Sequence, residues 1–516
     1  MTKPFDFGGV NLTAGEDGAG ARPTAETPFC IAIVGDFSGR ANRGICDAKT
    51  IGKRRALLVD RDNFDEVLAR VGAVIELPMG DGSSLKLKFS ELEDFHPDRI
   101  FQRIEVFGKL RSLRGRLADP ATFQKAAGDL GLGLPAGEVR KTDTASVVAP
   151  SATKLASGSL LDDMIEQTEM RVATEPPRGG TDEVGEFARR VVAQRLVSNP
   201  DPRQPEVLAV VDRAIGGLMR AVLHNPDFQA LEAAWQATFL LVRQLETGSQ
   251  LKLYLIDISK DELRADLTAR PNSAEDLRGT GIYRLLVEQS VETPGADPWA
   301  VILGNYSFGV GQADAELLSG MAQIASRAGA AFLAGAGAGL LGCESLASTP
   351  QPREWKALPE SIQGWKELRG RPEAGSVGLA LPRFLLRLPY GKKTSPLESF
   401  DFEEFPETPV HDDYLWGNAA FAVALLLAQS FSEAGWEMRP GSMVEIEKLP
   451  LHVYLRDGES AVKPCTEALL TENAVERMVE EGLIPLVSFK GRDVARVARF
   501  QSIAEPLRAL GGRWSG

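Results

Sequence analysis

Three glycines, Gly337, Gly339 and Gly342, spell GxGxxG directly after the apolar run Ala331 to Ala334. Such spacing lets a backbone approach a pyrophosphate, provided a helix opens there and an acid follows about 20 residues on. Here the chain enters Cys343-Glu344-Ser345 and a proline-rich loop, so the spacing predicts a packing turn of small residues. The rival is an α/β nucleotide-binding enzyme using the Gly337 to Gly342 loop, which Gly339→Asp would disable. Gly35-Asp36-Phe37-Ser38-Gly39 also follows an apolar run, but it lacks the GK[ST] of a phosphate loop. Ser307 lies in GNYSFG, whose first glycine stands one residue too early for a nucleophile elbow. His96, His224, His411 and His452 are far apart, with no HExxH and no Cys/His pair, so no zinc site is expected. His411, Asp412 and Asp413 with Glu403 and Glu404 offer metal-type ligands. The adjoining Phe400, Phe402, Phe405 and prolines instead predict a segment wrapped on a neighbouring surface with its acids solvated. Asp60, Asp62 and Asp65 lack the glycine and final Glu of an EF-hand loop and read as helix caps, with Asp62 at the helix entry. The expectation is a protein without catalytic, cofactor or metal residues.

Lys490, Arg492, Arg496 and Arg499 recur at helical spacing near the C-terminal end of an otherwise acidic chain. They read either as a solvated helix face or as a patch matching acidic surface on a partner. The formal net charge of −13 argues against nucleic-acid binding, which needs a basic excess. Four cysteines without CxxC spacing in 516 residues point to a reducing compartment. The first 20 residues have no apolar h-region, so no signal peptide is expected. No run of about 18 apolar residues appears, and Ala419 to Ala428 reads as a core helix. A cytoplasmic protein is expected.

These residues must be positioned by an alternation of helices and strands. Leu208, Val211, Ile215, Leu218 and Val222 fall three or four apart, which gives a helix one buried stripe. His224-Asn225-Pro226-Asp227 stops it and starts a second helix, with Asn225 as cap and Pro226 in the first turn. That helix carries Phe228, Leu231, Trp235, Phe239, Val242 and Leu245, and Gly248 ends it. Leu251 to Ile258 reads as a strand covered on both faces, and Ser259 with Glu262 makes a capping box. Upstream, FCIAIVG is a buried strand, Leu85, Leu87 and Phe89 alternate, and helices follow from Pro97. Leu160 to Thr174, Glu183 to Val197, Asp314 to Ala328 and Ala419 to Ala434 read as helices. Trp299 to Gly304, Ala331 to Ala334, Leu449 to Leu455 and Ala468 to Leu470 read as strands. The fold class is α/β, with mixed, largely parallel sheets and covering helices.

Residues 1–28 form an N-terminal arm in which Phe5, Phe7 and Val10 alternate, as a strand lent to another subunit would; a plain tail is the alternative. A compact domain spans 29–126. The Ala-, Gly-, Ser-, Thr- and Pro-rich stretch 127–157 is a linker, with a root-mean-square span of roughly 30 Å. Residues 158–516 form a large region of two packed subdomains.

Several motifs carry a resemblance. HNPDFQALEAAW and DISKDEL, then PWAVILGNYSFG, LALPRFLLRLPYG, YLWGNAAFAVA and LPLHVYLRDGE, resemble the large subunit of the type VI secretion contractile sheath, TssC or VipB, over roughly 155–516. GDFSG, DRDNFD and EDFHPD resemble the small subunit, TssB or VipA. The two are ordinarily separate chains, so the sequence resembles a fusion. The resemblance implies a structural subunit that polymerises helically around an Hcp inner tube and contracts to propel it. It further implies arms for strand exchange between subunits, baseplate components as partners, and a ClpV-type ATPase for disassembly. A non-polymerising baseplate or cap component of the same machine is the closest alternative.

Overall fold

The computed structural model describes residues 23–78, 84–130, 201–268, 277–356, 363–406 and 408–515. Phe5, Phe7 and Val10, the linker beyond residue 130, and the helices expected at 160–174 and 183–197 lie outside the described residues. The chain divides into two compact units, one of residues 1–73, 230–388 and 414–516, the other of residues 74–229 and 389–413.

The strands, in chain order, are β1 (Phe29–Gly35), β2 (Leu57–Val59), β3 (Ala73–Pro78), β4 (Ser84–Phe89) and β5 (Leu251–Asp257). Next come β6 (Trp299–Phe308), β7 (Ala331–Ala336), β8 (Val377–Leu381), β9 (Phe384–Leu385) and β10 (Trp416–Gly417). The last are β11 (Glu445–Ile446), β12 (His452–Arg456), β13 (Glu459–Lys463), β14 (Ile484–Ser488) and β15 (Ala495–Val497).

The first unit is built on a nine-stranded sheet ordered β11-β15-β14-β8-β7-β6-β1-β5-β2. Its central strands run parallel, and β2, β15 and β11 are antiparallel additions at the edges. All seven residues of β1 are buried, which a parallel strand covered on both faces requires. Ile33 stands in register with Leu255 of β5 and Leu303 of β6. The sheet's interior is therefore completed by a strand more than 200 residues upstream of its neighbour β5. Fully burying Phe29, Ile31, Ile33 and Val34 contributes about 1.5–3 kcal/mol each.

Helices Gln312–Ala328 and Ala419–Ala434 both pack on β6 and β7. The second starts where Asn418 accepts the N–H of Ala420 at 3.0 Å, and residues 419–428 are all buried. Ala419–Glu437 is apolar and long enough to span a membrane, yet 67% of it is buried within the protein. It is a core helix.

The second unit holds the two-stranded sheet β3-β4 and helices Pro97–Arg103, Glu105–Ala118, Phe123–Asp129 and Gln204–Leu223. Phe89 and Phe95 stack at 4.0 Å, and Phe228 meets both edge-on at 5.9 Å. Asn225 caps the helix Pro226–Gln244 by accepting the N–H groups of Asp227 and Phe228, as its position predicts.

Several expectations need correction. Asn63, not Asp62, occupies the cap of helix Phe64–Val71; the Asp60 carboxylate accepts the N–H groups of Asp62 and Asn63 at 3.0 Å. Helix Phe123–Asp129 runs past residue 127, where the linker was expected to begin. The helix from Pro226 ends at Gln244, ahead of Gly248. Ala468 to Leu470 is not a strand, because Thr466 turns back to donate its hydroxyl to the Ala468 carbonyl at 2.9 Å. Arg492 to Arg499 is not a helix: Ala495 and Val497 face in while Arg496 faces out, the period-two pattern of β15.

Candidate functional site

The polar centre of the first unit forms where β1 and β5 end side by side. Asp257, the last residue of β5, accepts the N–H groups of Phe37 and Ser38 at 2.8 and 3.0 Å and the Ser38 hydroxyl at 2.7 Å. Burial pushes its carboxyl above the usual range, against the opposing pull of those donors. Asp36 accepts the N–H groups of Arg40 and Ala41 at 2.8 Å. The GDFSG turn is thus wound around two carboxylates and presents no phosphate cradle.

One turn further on, Ser259 and Glu262 form the capping box that opens helix Lys260–Thr268: Ser259 N–H donates to Glu262, and Glu262 N–H donates to Ser259 Oγ. The Glu262 side chain is fully buried. Arg40 Nε donates to both its oxygens at 3.0 and 2.9 Å. Arg54 grips the same carboxylate through two nitrogens at 3.0 and 2.7 Å, and Asp47 N–H adds a bond at 3.0 Å. Burial alone would raise the Glu262 pKa, but the hydrogen bonds from Arg54, Arg40, Asp47 and Ser259 outweigh it and hold the group at about 2. A carboxylate so fully engaged has no free lone pair for a substrate. It is a clamp.

The same helix carries Asp266 one turn later, whose oxygens accept the N–H groups of Gly281 and Ile282 at 2.9 and 2.8 Å. That seats Gly281 so close to Gly52 that an added Cβ would lie 2.7 Å from the Gly52 nitrogen. Trp235 Nε1 donates to Phe37 O at 2.9 Å, and Phe37 and Phe64 meet its ring edge-on. Residues 35–64 are therefore bound to 235–281 by a buried polar joint framed with aromatics. Sequence reading had found the Ser259–Glu262 box but not the arginines. Nothing in spacing links Arg40 and Arg54 to an acid more than 200 residues away.

The Gly337 to Gly342 loop follows β7 as a 3-10 turn, Ala338–Leu341, and opens no α-helix. Three of its N–H groups are spent within the protein: Gly337 on Phe308 O, Leu340 on Gly337 O, Gly342 on Gly339 O. Gly342 has φ +74°, and an added Cβ would overlap the Lys356 carbonyl oxygen, whereas Gly339 has nothing within 4 Å. Gly342→Ala is expected to destabilise by about 2 kcal/mol or more, from left-handed strain and backbone overlap. Gly339→Asp should stay within about 0.5 kcal/mol of wild type. Chemical denaturation of both variants checks this.

The expected acidic wrap is only partly solvated. Glu404 is buried and accepts Tyr390 N–H at 2.7 Å, while His224 lies between Glu404 and Asp413 at 3.5 and 3.4 Å and stacks on Phe405. Phe400 stacks on Phe101 at 4.3 Å. Among the described residues no group of three or more His, Cys, Asp or Glu is arranged to hold a metal ion. In the basic segment, Arg496 pairs with Glu445, and Arg492 and Arg496 each lie 5.5 Å from the Phe489 ring. Lys490 and Arg499 are exposed.

Comparison with known proteins divides the chain by sequence, and each matched part contributes to both compact units. Residues 205–504 match the VipB family, described as EvpB/VC_A0108, tail sheath N-terminal domain. Residues 9–126 match the family described as Type VI secretion system, VipA, VC_A0107 or Hcp2. The type VI secretion system sheath protein TssC1 of Pseudomonas aeruginosa is 32% identical over 352 residues, 66% of this chain and 69% of the relative. Sheath protein TssB1 of the same organism is 26% identical over 110 residues, 20% of this chain and 62% of the relative. Both families are structural, not enzymatic. With β1 and its following loop from the VipA-matched part and β5 and Glu262 from the VipB-matched part, the chain belongs to the type VI secretion sheath protein family and carries its TssB-like and TssC-like parts fused in one polypeptide.

Proposed function

We propose that this chain polymerises into the helical contractile sheath of a type VI secretion apparatus, wraps an Hcp-type inner tube and contracts to drive it forward. In this reading the small-subunit part runs from 29 to the end of helix Phe123–Asp129, the linker follows it up to 157, and 158–516 is the large-subunit part. Baseplate components and a ClpV-type ATPase are its partners, and it works in the cytoplasm. Mechanical output then comes from the free-energy difference between two packings of one lattice. Head-to-tail contacts that do not close give the helical symmetry required.

The observation that carries this reading is the hairpin β12-β13, which forms a two-stranded sheet separate from the main one. Val453 and Leu455 are 55% and 64% exposed on it. An isolated two-stranded hairpin is marginal in water, and its outer edges offer unpaired backbone groups for strand addition. We assign the arm with Phe5, Phe7 and Val10, from a neighbouring copy, as the added strand. Lys490, Arg492, Arg496 and Arg499 are assigned to a tube- or neighbour-facing patch.

Deleting residues 1–12 should leave folded, soluble protomers that no longer form tubes in negative-stain microscopy. Wild-type tubes from that deletion would rule the arm out. A wild-type chain that forms no tubes at any concentration, alone or with its inner tube, would overturn the sheath reading itself.

A further inference from the structure

The loop that Glu262 anchors is also the densest basic stretch of the VipA-matched part. Between residues 40 and 55 stand Arg40, Arg43, Lys49, Lys53, Arg54 and Arg55 against the single acid Asp47. Two of these cations, Arg40 and Arg54, are neutralised on Glu262, and Arg43 donates to the carbonyls of Ser38 and Gly39. Lys49, Lys53 and Arg55 are exposed and make no ion pair among the described residues. The short helix Ala48–Lys53 buries Ile51 and Gly52, and Arg54 is locked inward. The three free cations therefore sit on a rigid base, so little side-chain and loop entropy is lost when a partner binds.

The second unit carries the complementary surface. From 398 to 413 the chain holds Glu398, Asp401, Glu403, Glu404, Glu407, Asp412 and Asp413 with no Lys or Arg. Phe402 and Glu404 are buried and anchor the segment, while Glu398, Asp401, Glu403 and Asp412 are exposed. Alternation thus faces acids outward from a fixed strap. Asp401 meets Lys392 at 3.3 Å, in a pair 64% and 86% exposed, which is too solvated to neutralise it firmly.

We propose that the basic loop of one copy, through Lys49, Lys53 and Arg55, docks on the acidic strap 398–413 of a second copy. This rests on the reading that the chain self-assembles. Made head-to-tail, such a contact is heterologous, and it propagates as an open helix where its rotation does not close. Charge pairing of this kind sets register and speeds encounter more than it adds affinity.

The test uses two full-length triple variants. One carries Lys49→Glu, Lys53→Glu and Arg55→Glu; the other carries Glu398→Lys, Asp401→Lys and Asp412→Lys. All six positions are exposed, so the melting temperatures should match wild type and report intact folds. Each variant alone should need at least about tenfold higher concentration to assemble, read by sedimentation and negative stain. An equimolar mixture should assemble like wild type, because every loop then finds a strap of opposite sign. Assembly of either variant alone at the wild-type concentration overturns the proposal, as does a mixture that fails to recover. A wild-type chain that never assembles overturns the sheath reading along with it.

Discussion

Glu262→Gln should lower the unfolding free energy by about 3–5 kcal/mol, the usual effect of removing one partner from a buried charge cluster. The amide is nearly isosteric and keeps hydrogen-bonding capacity, so the loss is electrostatic: Arg40 and Arg54 remain close together without their shared anion. Conformational stability of a whole domain is only about 5–15 kcal/mol, so the variant should melt far below wild type. The pH dependence separates charge from shape. Glu262 titrates at about 2 in the folded chain against an ordinary 4.5. A depressed carboxylate stabilises fully above its unfolded pKa and loses that contribution as pH falls toward its folded pKa. The difference between wild type and Glu262→Gln should therefore shrink by about 3 kcal/mol between pH 4.5 and 2. Asp257 acts in the opposite sense, because burial raises its pKa, but it is common to both proteins and cancels in the difference. Denaturant titrations across that pH range check the result. A difference independent of pH would mean that packing, not charge, holds the joint.

Local patterns in the sequence located most helices and central strands because burial and periodicity are local properties. The helix Ala419–Ala434, the capping box at Ser259, and the buried run at β1 are all legible in short windows. The basic segment near residue 495 misled for a physical reason. Ala495, Arg496 and Val497 alternate as a strand does, while Arg492, Arg496 and Arg499 keep a three- to four-residue spacing, and pairing with β14 decides for the strand. Turns such as Thr466 to Leu470 depend on a single hydroxyl, which no periodicity records.

The joint itself was legible only in halves. GDFSG read as a turn and DISKDEL as a strand followed by a cap, and both readings hold. Their meeting depends on β1 lying between β5 and β6, a long-range pairing that composition and spacing cannot encode. The same holds for Gly281, unremarkable alone but required because an added Cβ would lie 2.7 Å from the Gly52 nitrogen. The two families that lie side by side in the sequence share strands of one sheet in space.

Ile33→Asp is expected to abolish folding of the entire first unit, including strands contributed by residues 377–381 and 484–497. Ile33 has no exposure, and its neighbours across the sheet are Leu255 and Leu303. No cation or polar partner is in register to compensate a carboxylate there. The acid would either remain charged and unpaired or take up a proton, and with the lost apolar burial either course costs several kcal/mol. That rivals the full stability of a domain. Leu58→Asp is the matched control: Leu58 lies on the edge strand β2 and is 45% exposed, so its effect should stay near about 1 kcal/mol or below. Circular dichroism and limited proteolysis of the two full-length variants read the outcome. If Ile33→Asp left residues 230–388 and 414–516 folded, the VipA-matched strand would be an accessory, and the sheet would close without it. Loss of that fold, with Leu58→Asp intact, would mean that the small-subunit part is a structural interior of the large one, so that fusing them joins pieces that neither can complete alone.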